Sequence, residues 1–245
     1  MKTIIFFISC MIFTVIAVGQ QPEATVKEVK VTAPKFTGIE NAAAILNQKE
    51  PETISEYLVE NFQHTGNQFF EGTEVVQFTV TPSGELTDFN IINSVSREID
   101  REMIRVLRTT KGMWIPGYSN NLPVEMTKEV SMAFYPAEYS SKSVTEIFTQ
   151  KATRYFNDGS KTLFEKHNPK KAMKFYSKGI NYLPYEKSLL LLRGICRFET
   201  GDKEGAHKDW ERLKTLGGFD IENINLTDNL KELKSYNLLA GMFKE

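Results

Sequence analysis

The sequence predicts a two-part α+β protein, in which a small antiparallel three-stranded sheet with two helices precedes an all-α module of helical hairpins. Three observations predict it. Apolar residues recur at every second position around Val76-Phe78-Val80, but at every third or fourth in the second half. That second half also repeats its small and aromatic residues with a period near 34. At 245 residues, 41% hydrophobic and 25% charged, the chain is long enough for two modest cores.

At the start, Lys2 is followed by IIFFISCMIFTVIAVG. A basic start, an apolar run and the small residues Ala17 and Gly19 make residues 1–19 a secretory signal, with cleavage before Gln20. Left uncleaved, the run sits near the lower length limit for a bilayer anchor. Cys10 is no lipidation site, because Phe7-Ile8-Ser9 is a poor lipobox. The mature chain would carry 29 basic and 31 acidic residues, a net of −2 that gives no reason to expect nucleic acid. Of the two cysteines only Cys196 would remain, so no internal disulfide is available, and its setting in LLLLRGICRF suits a buried, inert thiol.

Residues 20–33, with Pro22 and alternating charge and valine, read as an extended leader. Ile54, Tyr57, Leu58 and Phe62 mark one face of a helix. Val76, Phe78 and Val80 mark a strand, Thr81-Pro82-Ser83-Gly84 a turn, and Leu86 to Ile92 the returning strand of an antiparallel hairpin. Ile99, Met103, Ile104, Val106 and Leu107 suit a helix packed on that hairpin, opened by Ser96. Trp114 then leaves the helix to plug the core, Pro116 fixes φ, and Gly117 permits the turn into a third long strand, Pro123 to Phe134. Val124, Met126, Val130, Met132 and Phe134 are available to its apolar face.

The order APKFTGIENA, GTEVVQFTVTPSGELTDFNIINSV, REIDREMIRVLRTTKG and MWIPGYSNNLPVEMTKEVSMAF resembles the C-terminal domain of the energy transducer TonB. The likeness covers Pro34 to Phe134, within a domain assigned to 34–137. It implies a sheet that pairs with an extended partner segment, here at an edge strand carrying Val124, Met126, Lys128 and Val130. A second copy of the chain could occupy the same edge and form a homodimer.

In the second half, Ala152–Pro184 superposes on Lys187–Gly218. Gly194, Ala206 and Trp210 stand twelve and four apart, and Gly159, Ala172 and Tyr176 thirteen and four, a one-residue insertion assigned to the Glu165–Pro169 turn. This pattern over 147–218 is similar to two tetratricopeptide repeats, in which Gly194 and Ala206 let paired helices approach and Trp210 fills the gap. The resemblance places Phe156, Ser160, Leu163 and Phe164, then Leu191, Ile195, Phe198 and Glu199, along an inner groove. Two repeats need capping. A helix within 219–245, carrying Leu226, Leu230, Leu233, Leu238 and Leu239, is expected to seat on that groove. Residues 151–178 carry a net +6 and residues 38–74 a net −6, so the halves either dock through opposite charge or present two solvated faces that never meet.

His64, His167 and His207 have no metal-ligand spacing, and the chain lacks phosphate-loop and GxSxG motifs. Glu40, Glu50, Glu52, Glu56 and Glu60 read as a solvated face. The expectation is a non-enzymatic periplasmic scaffold that binds protein partners of the cell envelope, with no cofactor, small-molecule substrate or nucleic acid. Two alternatives stand beside it. An energy transducer is disfavoured because a 14-residue leader reaches at most roughly 50 Å. An envelope enzyme would need an acid/base pair assembled only by folding.

Overall fold

The computed structural model describes residues 29–38, 53–63, 70–136, 144–218 and 230–243. The expected signal, most of the leader, His64, the Glu40–Glu52 part of the acidic series and Leu226 lie outside the described residues. The fold is mixed α and β with small antiparallel sheets.

Three strands form the main sheet: β3 (Gly72–Val80), β4 (Leu86–Asn93) and β8 (Met126–Phe134), in the order β4-β3-β8. Alternation sends Val76, Phe78 and Val80 to one face, where they are buried with Val130 of β8. Gly84 closes the β3–β4 turn at φ +79, and a Cβ there would lie 2.5 Å from the Trp114 carbonyl oxygen, so both conformation and space call for glycine. Helix α1 (Ile54–Asn61) starts with a capping box, since the Thr53 hydroxyl accepts from the Glu56 N–H at 3.2 Å while the Glu56 carboxylate accepts from the Thr53 N–H at 2.8 Å. Helix α2 (Arg97–Thr109) begins at Ser96, whose Oγ accepts from the Ile99 N–H. Its Ile99, Met103, Val106 and Leu107 close the core over the sheet.

Trp114 is a core residue, 6% exposed, with its ring 5.3 Å from both Phe36 and Phe78. Its indole Nε1 donates to Thr110 Oγ1 at 2.9 Å, so the polar edge of the ring is satisfied inside the core. The corner after it is not a bare turn. Trp114–Ile115 forms β5, paired with β2 (Lys35–Phe36), and Gly117–Ser119 forms β6, between β1 (Val31–Thr32) and β7 (Leu122–Val124). The third strand expected over Pro123–Phe134 is therefore split at Glu125. Before Glu125, β7 pairs with β6 across the two-residue turn Asn120-Asn121, both at positive φ (50 and 66); after it, β8 pairs with β3 instead. The turning role expected of Gly117 is also corrected: its φ is ordinary, and it is glycine because a Cβ would meet Met126 Sδ at 2.3 Å. Pro116 is half-buried between β5 and β6. The last residues of the leader are built into this small sheet through β1.

The second half is helical: α3 (Val144–Ser160), α4 (Pro169–Tyr182), α5 (Lys187–Glu199), α6 (Lys203–Thr215) and α7 (Tyr236–Phe243). The two repeats share one packing device. A Cβ on Gly159 would lie 2.6 Å from the Tyr176 ring, and one on Gly194 would lie 2.2 Å from Trp210 Nε1, while Ala172 and Ala206 are fully buried beside them. The extra residue of the first repeat is not in the Glu165–Pro169 turn. It is taken up as a π-helical turn over Lys161–Glu165, whose wider winding holds one more residue while Gly159 still faces Tyr176. Between α5 and α6, the buried Asp209 carboxylate accepts from Arg193 at 3.0 and 2.7 Å and pairs with Arg197 at 2.9 Å. Cys196 is buried and its thiol is pushed up to about 12 by that burial, which makes it inert as expected.

The halves dock, with the helices lying against the sheet face opposite α2. Thr73 Oγ1 donates to the Tyr182 carbonyl at 2.8 Å and Asn181 Nδ2 to the Glu71 carbonyl at 3.0 Å, so side chains satisfy orphan groups at the end of α4 and the start of β3. Arg212 forms a two-pronged pair with Glu129 of β8 at 2.5 and 2.6 Å, and Gln77 donates to the same carboxylate at 3.0 Å. Lys151 pairs with Glu71.

Candidate interaction surfaces

The β8 edge comes from strand order. β8 is hydrogen-bonded to β3 through nine consecutive residue pairs, and among the described residues no strand lies on its other side. Its side chains divide by parity. Met126, Lys128, Val130, Met132 and Phe134 belong to the α2 side, where Val130 is buried and the others half-buried, whereas Thr127, Ser131 and Ala133 are exposed on the opposite side. Val130 is therefore a core residue, Met126 is half-buried beside Gly117, and what the strand leaves open is its backbone. Val124 lies apart from them, half-buried on β7 and paired with Gly117. Glu129 is tied to Arg212, so the strand is held in place from the helical half.

The expected groove of the repeats is not an open one. Leu163, Leu191 and Ile195 are at most 3% exposed, in a single buried cluster with Leu230 and Leu239 of the chain's own tail. Phe156, Phe164 and Phe198 are half-buried against that cluster. The Ser235 N–H donates to Glu199 at 3.0 Å, which fastens the tail to the last turn of α5. Two repeats without a third neighbour leave an apolar side that must be covered, and residues 230–243 contribute to covering it. Of the segment expected at 219–245, the described residues are 230–243, in which α7 spans Tyr236–Phe243 and Leu230 and Leu239 are buried in that cluster.

A third feature went unnoticed in the sequence. Glu74 is wholly buried on the α2 side of β3; one carboxylate oxygen accepts from the Val95 N–H at 2.8 Å, and the other has no ordinary donor. It faces Asp100 in the first turn of α2, whose Oδ1 is likewise buried without a donor. Two carboxyl groups so placed share a hydrogen bond only if one holds a proton. Desolvation first, then the charge and hydrogen bond of Asp100, raise Glu74 from 4.5 to about 8 against the lowering effect of the Val95 N–H. Period-two reading could have found it, since Glu74 is in phase with Val76, Phe78 and Val80. Beside the pair, a cleft of about 580 Å³ is lined by Phe70, Ser96, Arg97, Glu98, Asp100 and Arg101.

His167 and His207 are both exposed, and no group of three or more metal-ligating side chains occurs among the described residues. Among those residues, no helix is long and apolar enough to cross a membrane. No protein-family model, curated protein or solved structure matches the chain.

Proposed function

We propose that the chain is a non-enzymatic scaffold of the periplasm, whose sheet holds an extended segment of a protein partner against the outer edge of β8. The observation that carries this reading is the nine-residue strand paired on one side only. A free edge offers a row of backbone donors and acceptors, and a strand added there satisfies them with little demand on sequence. Specificity would come from side chains such as Thr127, Ser131 and Ala133, exposed on one face of β8. The helical half serves as a brace, since Arg212 fixes Glu129 and the tail closes the repeats. The TonB-like order of elements supports the same mode of binding, and a second copy of the chain is one occupant the edge would accept.

The test uses proline at two neighbouring positions, Thr127→Pro and Lys128→Pro. Adjacent strand residues aim their N–H groups to opposite sides. One variant therefore breaks the β3–β8 ladder and loses stability, while the other removes an outward donor. The stable variant should lose a partner that the wild-type chain captures from envelope extract, and lose self-association measured by sedimentation if the partner is a second copy. A stable variant that keeps all its partners would overturn the reading.

A further inference from the structure

Helix α4 carries its charge on one side. Successive helical residues are turned by about 100°, so Lys170, Lys171, Lys174 and Lys178 share the side opposite Ala172, Tyr176, Gly179 and Ile180. The four lysines are exposed and the four opposing residues buried. The short connection after the π turn folds α4 back along α3, which brings a fifth charge alongside. Arg154 and Lys178 lie 5.4 and 5.6 Å from the centroid of the same Tyr155 ring. Lys161 and Lys166, also exposed, continue the surface toward the connection.

None of these seven cations forms an ion pair with a described residue, and the only acids between Lys151 and Lys178 are Asp158 and Glu165. Lys170 with Lys174, and Lys174 with Lys178, are like charges four residues apart, an arrangement that weakens a helix until something outside neutralises it. Lys151, by contrast, is turned inward to Glu71. The docking of the two halves thus leaves the remaining positive charge facing outward.

We propose that this α3–α4 face binds the anionic surface of a lipid bilayer. The choice of polyanion rests on the envelope placement proposed above, where bilayer leaflets are the extended anionic surface at hand. The chemistry of the face agrees with it. Its charges are mostly lysines, compact and hydrated heads on flexible stems, which suit a diffuse layer of headgroups better than the fixed fork of a single phosphate site. Tyr155 is already stacked on Tyr182 at 6.1 Å, so its ring is not a free platform for the bases of a nucleic acid.

The test is co-sedimentation of the full chain with vesicles of phosphatidylglycerol and, separately, of phosphatidylcholine. The neutral vesicles measure any attachment through apolar segments. A triple variant, Lys171→Gln, Lys174→Gln and Lys178→Gln, is compared with a control of equal charge loss, Lys203→Gln, Lys208→Gln and Lys214→Gln on α6. All six positions are exposed, so folding is retained. The expected result is binding to phosphatidylglycerol alone, release at high salt, and a loss of roughly tenfold or more in the α4 variant but not in the control. Equal binding to both lipids, equal loss in both variants, or tighter binding to single-stranded DNA than to phosphatidylglycerol vesicles overturns the proposal. Because the β8 edge is untouched in these variants, capture of a protein partner by the same preparations reports separately on the scaffold reading.

Discussion

At the scale of single residues, the most informative side chain is Glu74. Its carboxyl is raised to about 8 in the folded chain against 4.5 in water, so over that window the native state keeps a proton that the unfolded state releases. The contribution is therefore fully present below about 4.5 and is lost as pH rises toward about 8, at up to about 1.4 kcal/mol per pH unit. Glu74→Gln keeps the shape, donates to Asp100 at any pH and cannot ionise. Denaturant midpoints of this variant should stay flat across the window and exceed those of wild type above it; an unchanged pH profile would place the titration elsewhere. Trp114 gives a second case. Trp114→Phe should cost about 1 kcal/mol for the lost bond to Thr110, and Trp114→Ala about 3–5 kcal/mol, measured by urea unfolding. The core role of Trp114 was legible because a large aromatic after an amphipathic helix has an apolar sheet to cover. The role of Glu74 was legible in principle, yet hidden by its charge, since carboxylates are seldom wholly buried without a partner.

At the scale of elements, period carried the reading well and turn chemistry less so. Val76-Phe78-Val80 and the Ile99–Leu107 set lie where alternation and helical spacing put them, because each buries one face against the other. The β7–β8 division was missed because β7 turns back on β6 through two successive asparagines at positive φ, a reversal with no glycine to announce it, while β8 pairs with β3. The π turn was missed for a different reason: sequence shows that one residue is extra, but only packing decides where the helix can widen without moving Gly159 from Tyr176. Leu163, Leu191 and Ile195 share one buried cluster with Leu230 and Leu239, a long-range contact that local spacing does not encode. The glycine–aromatic device makes a graded prediction. A methyl group at Gly194 meets the rigid indole of Trp210 at 2.2 Å, whereas one at Gly179 meets the flexible methyls of Leu189 at 2.9 Å. Gly194→Ala should therefore destabilise by about 1–3 kcal/mol through overpacking. Gly179→Ala should cost clearly less, because Leu189 can rotate and alanine favours the helix. Thermal melts of the two variants, side by side, would show whether the ranking is correct.

At the scale of the whole molecule, the question is what holds the sheet to the helices. Opposite charge in residues 38–74 and 151–178 suggested docking, and one contact, Lys151 with Glu71, does join those two runs. The other contacts are of a different kind. Thr73 and Asn181 close backbone carbonyls by hydrogen bonds, and Arg212 grips Glu129 with both prongs at side-chain exposures of 14% and 21%. Salt screens exposed charges beyond a Debye length of about 8 Å, but acts weakly on partly buried pairs in direct contact. Docking led by net charge would loosen in salt; docking led by these bonds would not. The expected outcome in small-angle scattering is one compact envelope at low and high salt alike for the wild-type chain. Arg212→Ala leaves Glu129 half-buried with Gln77 as its remaining donor, while Lys151 with Glu71, also a partly buried pair in direct contact, still holds the other end of the seam. That variant should stay compact at low and high salt alike with a lower unfolding midpoint, and the double variant Lys151→Ala and Arg212→Ala should be extended in both. A wild-type chain that opens with salt would show that long-range charge, not the bonded contacts at β3 and β8, keeps the two halves together.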